Sequence, residues 1–481
     1  MNAARDVPRA VFAFSRDLRL TDHAGLAAAA RHGDVVAVHV IDPVSAARLR
    51  RSPRRAAYYC AAVRSLDEAL RARGSRLIVR RGNPGPALRA LARAVGAQVV
   101  GWSYGYDAKS IRRDRDLQST LEEAGLRALP VHDAPAIPPE ESAASHSSGD
   151  GYRAFVPYHA KWRTLIPLEP AVSAALAAVE IASEPLPQPD EFASHATIEE
   201  PVGEDAARAQ LAAFLAGPAL QYGVARNVPA AGETSRLSAA LSFGTIAARE
   251  VVRATCARNA DPFLLVEERT SLKLYLRALA QRDFFLQLAW FNESLAEEPL
   301  QEKMRNFTFL RTHAQLDAWR EGRTGYPLVD AGIRELHATG WMHPRVRSIA
   351  ASFLCFDLGV DWRVGRDDWD THLTEDDPAL AAGNWQWVAG VGADLAAYPR
   401  IYNPLKQARR FDPAARYVRR WLPELAGLPD GAILEPALAA RERQMQLALF
   451  GEQSYPAPVV DHEPVARAFL ERYGREVRTP A

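Results

Sequence analysis

The stretch Ala10-Val-Phe-Ala-Phe-Ser-Arg-Asp-Leu-Arg-Leu20 decides the fold of the first third of the chain. Its first five residues are apolar and rich in strand-forming side chains, and similar runs return at Val35–Ile41, Leu77–Val79, Gln98–Trp102 and Leu129–Val131. Helical patterns lie between these runs, as in Pro84–Val95, where leucines recur at helical spacing behind a capping Asn83. This alternation predicts an α/β N-terminal domain, with a doubly wound parallel five-stranded sheet, over residues 1–132.

The residues after the first run limit what this domain can bind. Ser15-Arg-Asp-Leu-Arg-Leu20 contains no Gly-x-Gly-x-x-Gly, so the usual dinucleotide fingerprint is absent and no NAD site is assigned.

The 481 residues carry a net charge of +1, with 48% hydrophobic and 24% charged residues, which is an ordinary globular composition. Three widely spaced cysteines offer neither a disulfide framework nor a zinc site, and no secretory leader or membrane span is found. We therefore expect a cytoplasmic monomer that holds no metal.

The remaining chain contains two further regions that differ in composition and in predicted secondary structure. Residues 133–205 are rich in Pro, Ser, Glu and Ala and predict a connector, with one short helix at Phe155–Leu165. Residues 206–481 predict an all-α C-terminal domain. Its clearest apolar stripes are Ala207–Leu215, Ser235–Leu241, Ala247–Cys256, Glu267–Leu288, Tyr326–Leu336, Arg345–Leu354 and Ala415–Leu422. The tail after Pro423 is Pro- and Ala-rich, with one helical patch and no chemistry assigned.

Two short segments of the helical domain carry groups that suit a phosphorylated ligand. Thr234 and Ser235 are typical caps for a helix start, and with Arg236 they could cradle a diphosphate, although most such hydroxyls only cap. The loop Thr374-Glu-Asp-Asp-Pro is either a solvated acidic turn or a set of acceptors for ring N–H and ribose groups. Arg347, on a helix that Pro344 should begin, could neutralise one of these acids.

Two larger stretches each leave two interpretations open. Residues 400–420 contain seven basic residues and one acid, with aromatics between them, which fits either a solvated face or contact with a phosphate backbone. Residues 319–387 hold six of the ten tryptophans. Indole rings pack cores well, and they also give up and recover electrons. Composition alone favours packing.

Together the segments resemble the photolyase/cryptochrome family of FAD flavoproteins, in class I-like form. The resemblance covers nearly the whole chain and rests on Phe14-Ser-Arg-Asp-Leu-Arg-Leu, Thr234-Ser-Arg-Leu-Ser-Ala-Ala-Leu-Ser-Phe-Gly, Gly325-Tyr-Pro-Leu-Val-Asp-Ala, Thr339-Gly-Trp-Met-His, Asn384-Trp-Gln-Trp and Arg400-Ile-Tyr-Asn-Pro. It implies an antenna-type α/β domain, a connector and a helical domain that binds FAD.

The resemblance also implies roles for individual residues. Those implied to contact FAD are Tyr222, Thr234, Ser235, Arg236, Leu237, Ser238, Arg282, Arg347, Glu375, Asp376 and Asp377. An electron relay from the surface to the flavin is implied for Trp319, Trp362 and Trp385, which leaves Trp341, Trp369 and Trp387 as packing. DNA contacts are implied for Arg226, Gln407, Arg409 and Arg410.

The implied activity is that of a lyase. Blue light excites reduced FAD, which donates an electron to a pyrimidine dimer flipped out of UV-damaged DNA. Positions matching the family's lesion and flavin contacts are changed here, to Ala278, Gln281, Ser348 and Ala381. The alternative is therefore a cryptochrome-like blue-light photoreceptor with altered or lost repair and an unknown signalling partner, and a third possibility is a flavin-binding remnant. Lys109-Ser110 replaces the residues of folate-binding members, so the second antenna chromophore is left unknown.

Overall fold

The computed structural model describes residues 8–144, 149–166, 169–393, 399–436 and 455–478. The chain forms two compact units that alternate along the sequence: Met1–Leu220, Ser235–Ala296 and Thr374–Leu380 form the first, and Gln221–Thr234, Glu297–Leu373 and Ala381–Ala481 form the second. This division differs from the predicted linear boundaries, which stay a prediction. Parts of the predicted connector, 145–148 and 167–168, and residues 437–454 of the tail lie outside the described residues.

The first unit is built on the predicted parallel sheet. Its strands are β1 (Arg9–Phe14), β2 (Asp34–Ile41), β3 (Ile78–Arg81), β4 (Val99–Ser103) and β5 (Arg127–Val131). They pair in the order β3-β2-β1-β4-β5, and every pairing is parallel. The change of direction on either side of β1 makes the sheet doubly wound, so the predicted α/β fold is confirmed.

Helices cover both faces of this sheet. Along β1, Phe12 and Phe14 enter one buried cluster while Val11 and Ala13 enter another, as side chains alternating along a strand must. Apolar runs without a polar face are the consequence. The helices of the first unit are Ala24–Ala30, Pro43–Leu49, Pro53–Arg71, Pro84–Val95, Ala108–Glu123, Pro139–Ala143, Phe155–Trp162, Glu204–Ala216, Ser238–Ser242, Ala248–Asn259 and Val266–Phe291.

A buried cluster of opposite charges joins distant segments of the first unit. Asp133 accepts from Arg19 Nη2 at 2.8 Å and also from Arg249, whose Nε lies 3.0 Å from Asp22. Burial alone would raise the pKa of Asp133, but Arg19, His23 and Arg249 outweigh it and hold that pKa well below its usual range. The loop that follows β1 is thereby tied to the connector and to the Ala248–Asn259 helix.

The second unit is helical around one large apolar core. Its helices are Tyr222–Ala225, Leu316–Arg320, Pro327–Thr339, Pro344–Ser352, Trp362–Trp369, Pro404–Phe411, Arg416–Trp421, Asp430–Ile433 and His462–Arg478, with a π-turn at Phe353–Asp357. The Pro378–Ala389 helix starts in the sequence of the first unit and ends in that of the second. Pro344 occupies the first turn of its helix, as predicted. Among the described residues, no helix has the length and apolar content needed to cross a bilayer.

Candidate functional site

The acidic loop at 374–378 is anchored through Asp376. Its carboxylate pairs closely with Arg48 and lies 3.6 Å from Arg16 Nη1 and 3.8 Å from Arg55 Nη1. Burial would raise the pKa of Asp376, but these arginines hold it far below the usual range. The backbone N–H of Asp376 donates to Ser242 Oγ at 2.8 Å. Asp376 therefore holds the loop within the first unit, and its implied contact with FAD stays a prediction.

A cavity of the first unit opens where β1, β2 and β4 end. Its lining includes Arg282, Asp376, Asp377 and Tyr59. Arg282 is oriented by hydrogen bonds from its guanidinium to the carbonyl oxygens of Ala134, at 2.8 Å, and Leu241, at 3.3 Å. Burial raises the pKa of Asp377. The structure thus gathers Arg282, Asp376 and Asp377 at the carboxyl edge of the parallel sheet, where ligands of such sheets bind.

The segment Thr234–Ser238 corrects one expectation. The helix begins at Ser238 after Leu237, without a side-chain cap, so the prediction that Thr234 and Ser235 cap it is wrong. The reason is Arg236, whose φ of 49° turns the chain between these hydroxyls and the helix. Ser238 Oγ instead donates to Glu375 Oε2 at 3.5 Å.

Two hydroxyl groups, those of Thr234 and Tyr222, nevertheless fit a diphosphate. Thr234 Oγ1 is buried and has no hydrogen-bond partner among the described residues. A buried hydroxyl without a partner is costly, so a ligand acceptor at this point would stabilise the site. Burial raises the pKa of the Tyr222 hydroxyl, which also hydrogen-bonds with Arg226. The residues present therefore fit the phosphate part of FAD.

The Pro344–Ser352 helix of the second unit carries three polar groups in sequence. Arg347 Nε donates to the carbonyl oxygen of Met342 at 2.8 Å. Ser348 Oγ donates to the carbonyl oxygen of Pro344 at 3.2 Å and so lies against its own helix. Arg345 was missed by sequence reasoning, because a single arginine after Pro344 gives no signal. Its Nη2 donates to Asn227 Oδ1 at 2.6 Å.

Arg226, Arg345 and Arg410 form what we call the arginine cluster. Arg345 lies 4.8 Å from the ring centre of Phe411, and Arg410 lies 5.1 Å from the same ring centre. Burial lowers the pKa of Arg345, and the charges of Arg226 and Arg410 lower it further, whereas Tyr402 raises it. Over the part of the chain that the structure describes, none of the three arginines pairs with a carboxylate. Like charges held together without an acid form a site for an anion.

Two other cations of the 400–420 stretch, Arg409 and Arg419, are already neutralised. Arg409 forms a close ion pair with Glu435. Arg419 lies 2.7 Å from Asp430 and donates to the carbonyl oxygen of Leu428 at 2.6 Å. Gln407 lies half-buried on the Pro404–Phe411 helix. Within the stretch, the structure thus separates Arg410 from Arg409 and Arg419, a distinction that the basic pattern could not make.

The three relay candidates are all buried in the second unit. Trp319 and Trp362 are 0% exposed and Trp385 is 5% exposed. The predicted surface position of Trp319 is wrong, because this side chain lies in the core and donates from Nε1 to the carbonyl oxygen of Ala350 at 3.0 Å. Its role in the relay stays a prediction. The ring of Trp369 contacts those of Trp319 and Trp385, with centroid separations of 5.8 and 4.6 Å.

Comparison with known proteins decides the family. Residues 10–180 match the family described as DNA photolyase, and residues 275–475 match the FAD binding domain of DNA photolyase. The chain is 37% identical over 473 residues to the deoxyribodipyrimidine photo-lyase of Halobacterium salinarum, covering 94% of this chain and 96% of the relative. The chain belongs to the DNA photolyase family. It is also 33% identical over 481 residues to the deoxyribodipyrimidine photo-lyase of Escherichia coli, covering 96% and 97% of the two chains.

Solved structures of photolyase-family proteins agree over the full length. A bacterial class III photolyase from Agrobacterium tumefaciens has a TM-score of 0.87 at 29% identity, with 100% of both chains covered. The Synechocystis cryptochrome has a TM-score of 0.85 at 28% identity, with 98% of this chain and 99% of that chain covered. The photolyase architecture, an α/β domain with a helical FAD-binding domain, is thus that of this chain.

Within this photolyase fold, the changed positions lie on three well-formed helices. Ala278 and Gln281 occupy the Val266–Phe291 helix, both partly exposed. Ala381 occupies the Pro378–Ala389 helix, and Ser348 follows Arg347. The replacements therefore alter side chains without breaking the elements that carry them.

Proposed function

We propose that this protein is a deoxyribodipyrimidine photolyase that uses reduced FAD and blue light to split UV-induced pyrimidine dimers in DNA. The observation that carries the proposal is the arginine cluster in a chain of the photolyase family. Three guanidinium groups without carboxylate partners among the described residues suit the phosphates of a damaged strand. Relatives from Halobacterium and Escherichia that are similar over their full length are named deoxyribodipyrimidine photo-lyase.

Different residues of this chain bind different ligands. Thr234 and Tyr222 of the second unit supply hydroxyls that suit the diphosphate of the cofactor, and Arg345 of the same unit supplies a guanidinium that suits a DNA phosphate. FAD, when bound, supplies the light-driven electron transfer, and the protein positions the lesion beside it. Arg345 is two residues from Arg347, so one short helix carries a phosphate contact and a proposed flavin contact.

The changed lesion contacts set an expectation for affinity. A flipped base that stacks on an aromatic side chain gains about 1–3 kcal/mol, which Gln281 and Ala278 do not provide. Binding of the lesion then depends more on phosphate contacts. We therefore expect damaged DNA to bind with weaker preference over undamaged DNA, and with a strong dependence on salt.

Repair of defined lesions tests the proposal. FAD-loaded protein is reduced with dithionite and illuminated with blue light in the presence of one oligonucleotide with a cyclobutane thymine dimer and another with a (6-4) product. We expect the dimer to disappear, and chromatography of the DNA measures it. Arg345→Gln should slow repair at low DNA concentration, whereas Arg409→Gln, whose charge is already paired, is the matched control. If the native protein removes neither lesion from the DNA, the proposal is overturned.

A second candidate is a cryptochrome-like photoreceptor. Ala278, Gln281, Ser348 and Ala381 favour it, since all four replace groups implied to contact lesion or flavin. The same experiment separates the two functions. A photoreceptor reduces its flavin in light and leaves both lesions intact, whereas a photolyase removes a lesion when its flavin is reduced chemically beforehand.

A further inference from the structure

Trp369 joins two of the tryptophans assigned to the relay. Its ring is stacked on that of Trp319, with an angle of 13° between the planes, and meets that of Trp385 at 55°. Trp369 is 4% exposed, and its indole N–H has no acceptor among the described residues. Among the ring contacts of the described residues, Trp362 has none with Trp319 or Trp385, and it lies against the guanidinium groups of Arg363 and Arg366.

The close approach of Trp385 depends on a glycine in the same helix. A Cβ atom on Gly365 would lie 2.3 Å from the Cη2 atom of Trp385 and 2.4 Å from a methyl carbon of Leu354. Gly365 and Trp369 are four residues apart and therefore share one helix face. The absence of a side chain at 365 lets Trp385 pack on this face and meet Trp369.

We propose that Trp369 is the middle member of the electron relay, which runs from Trp319 through Trp369 to Trp385 and on to bound flavin. The proposal rests on the FAD site of the proposed function. With FAD bound, Trp385 would give one electron to the light-excited cofactor, Trp369 would then reduce the oxidised Trp385, and Trp319 would reduce the oxidised Trp369. The ring contacts of Trp369 with Trp319 and Trp385 support this route, since Trp362 has no ring contact with either among the described residues.

An external thiol supplies the electrons that the relay passes on. It gives one electron to oxidised Trp319, whose chain neighbour Arg320 is partly exposed and pairs with Asp368 at 3.2 Å. Two such transfers oxidise two thiols to one disulfide and release two protons. One proton is taken up with the two electrons at the flavin, and the other goes to solvent.

Photoreduction of three single variants tests the route. FAD-loaded Trp369→Phe, Trp362→Phe and Trp369→Tyr are illuminated with blue light and dithiothreitol, and flavin absorbance is followed. We expect Trp369→Phe to slow photoreduction at least tenfold and Trp362→Phe to change it less than threefold. Tyrosine can be oxidised and phenylalanine resists oxidation, so Trp369→Tyr should recover part of the rate. Trp369→Phe within twofold of the native rate would overturn the proposal.

Two further measurements separate a relay from a structural role. In cofactor-free protein, near-ultraviolet circular dichroism should lose the coupled indole signal in Trp369→Phe and keep it in Trp362→Phe, which checks the ring contacts without the flavin. FAD content and melting temperature show that Trp369→Phe is folded and loaded. Dimer repair after reduction with dithionite bypasses the relay, so it should stay at the native level in Trp369→Phe. Failure of native repair would count against the proposed function, whereas an unchanged photoreduction rate would count against the relay.

Discussion

Removal of the arginine cluster should change the salt dependence of DNA binding by a predictable amount. The change is the triple substitution Arg226→Gln, Arg345→Gln and Arg410→Gln, which deletes three charges that have no carboxylate partner within the described ranges. Each lost phosphate contact reduces the slope of log K against log salt by about 0.9, so the three together reduce it by about 2.7. Over a rise from about 50 to about 200 mM salt, the native protein should lose about 40-fold more affinity than the variant.

Fluorescence anisotropy with an undamaged duplex measures this slope without any light-driven reaction. The matched control is Arg409→Gln, from the same basic stretch, because Glu435 already neutralises Arg409. We expect the control to change the slope by less than half a unit, compared with about one for Arg410→Gln alone. Equal slopes for the native protein and the triple variant would refute the assignment of the cluster as a phosphate site. A change of one full unit in the slope for Arg409→Gln would refute the reasoning from its ion pair.

Three further predictions concern the framework of the site. Asp133→Asn should destabilise the protein by about 3–5 kcal/mol in urea unfolding because it leaves the buried Arg19 guanidinium without its carboxylate and removes one of the two carboxylates paired with Arg249. The exposed Asp116→Asn should change stability by less than about 0.5 kcal/mol. The pKa of Asp376 is lower in the folded protein than the unfolded value of about 3.9. The stability that this carboxylate contributes is therefore present above pH about 3.9 and is lost as the pH falls towards the folded pKa. Asp376→Asn should for this reason flatten the acid side of the plot of stability against pH. Gly365→Ala should cost about 1–3 kcal/mol and slow photoreduction because its methyl group displaces the Trp385 ring, as thermal unfolding and flavin absorbance would show.

The parallel sheet could be predicted because its signal is local. Each strand of the first unit is four to eight residues long and overlaps a short apolar run, and a sheet covered on both faces needs such runs. The same holds for the Pro84–Val95 helix, where Asn83 Oδ1 accepts from the N–H of Gly85 as its composition predicts. These elements follow from spacing and capping, which a single sequence contains.

The site was harder to predict because its contacts are long-range. The cap at Thr234 failed because the left-handed conformation of Arg236 has no sequence signal, since arginine seldom adopts it. Asp376 was expected to face a ligand, yet three arginines far away in sequence surround its carboxylate. Trp369 differed from Trp362 only after folding, when one of the two rings met Trp319 and Trp385.

The attachment of Asp376 has a consequence for synthesis of the chain. Arg48 and Asp376 are 328 residues apart, and both belong to the first unit. At about 5–20 residues per second, a ribosome needs about 16–66 s to make the chain between them. During that interval Arg48 and the buried Arg55 have emerged without the carboxylate that later neutralises them. The α/β unit therefore completes its charge balance only when most of the polypeptide has been made, and a nascent chain truncated before residue 374 should expose this arginine-rich edge to chaperones and to nucleic acids.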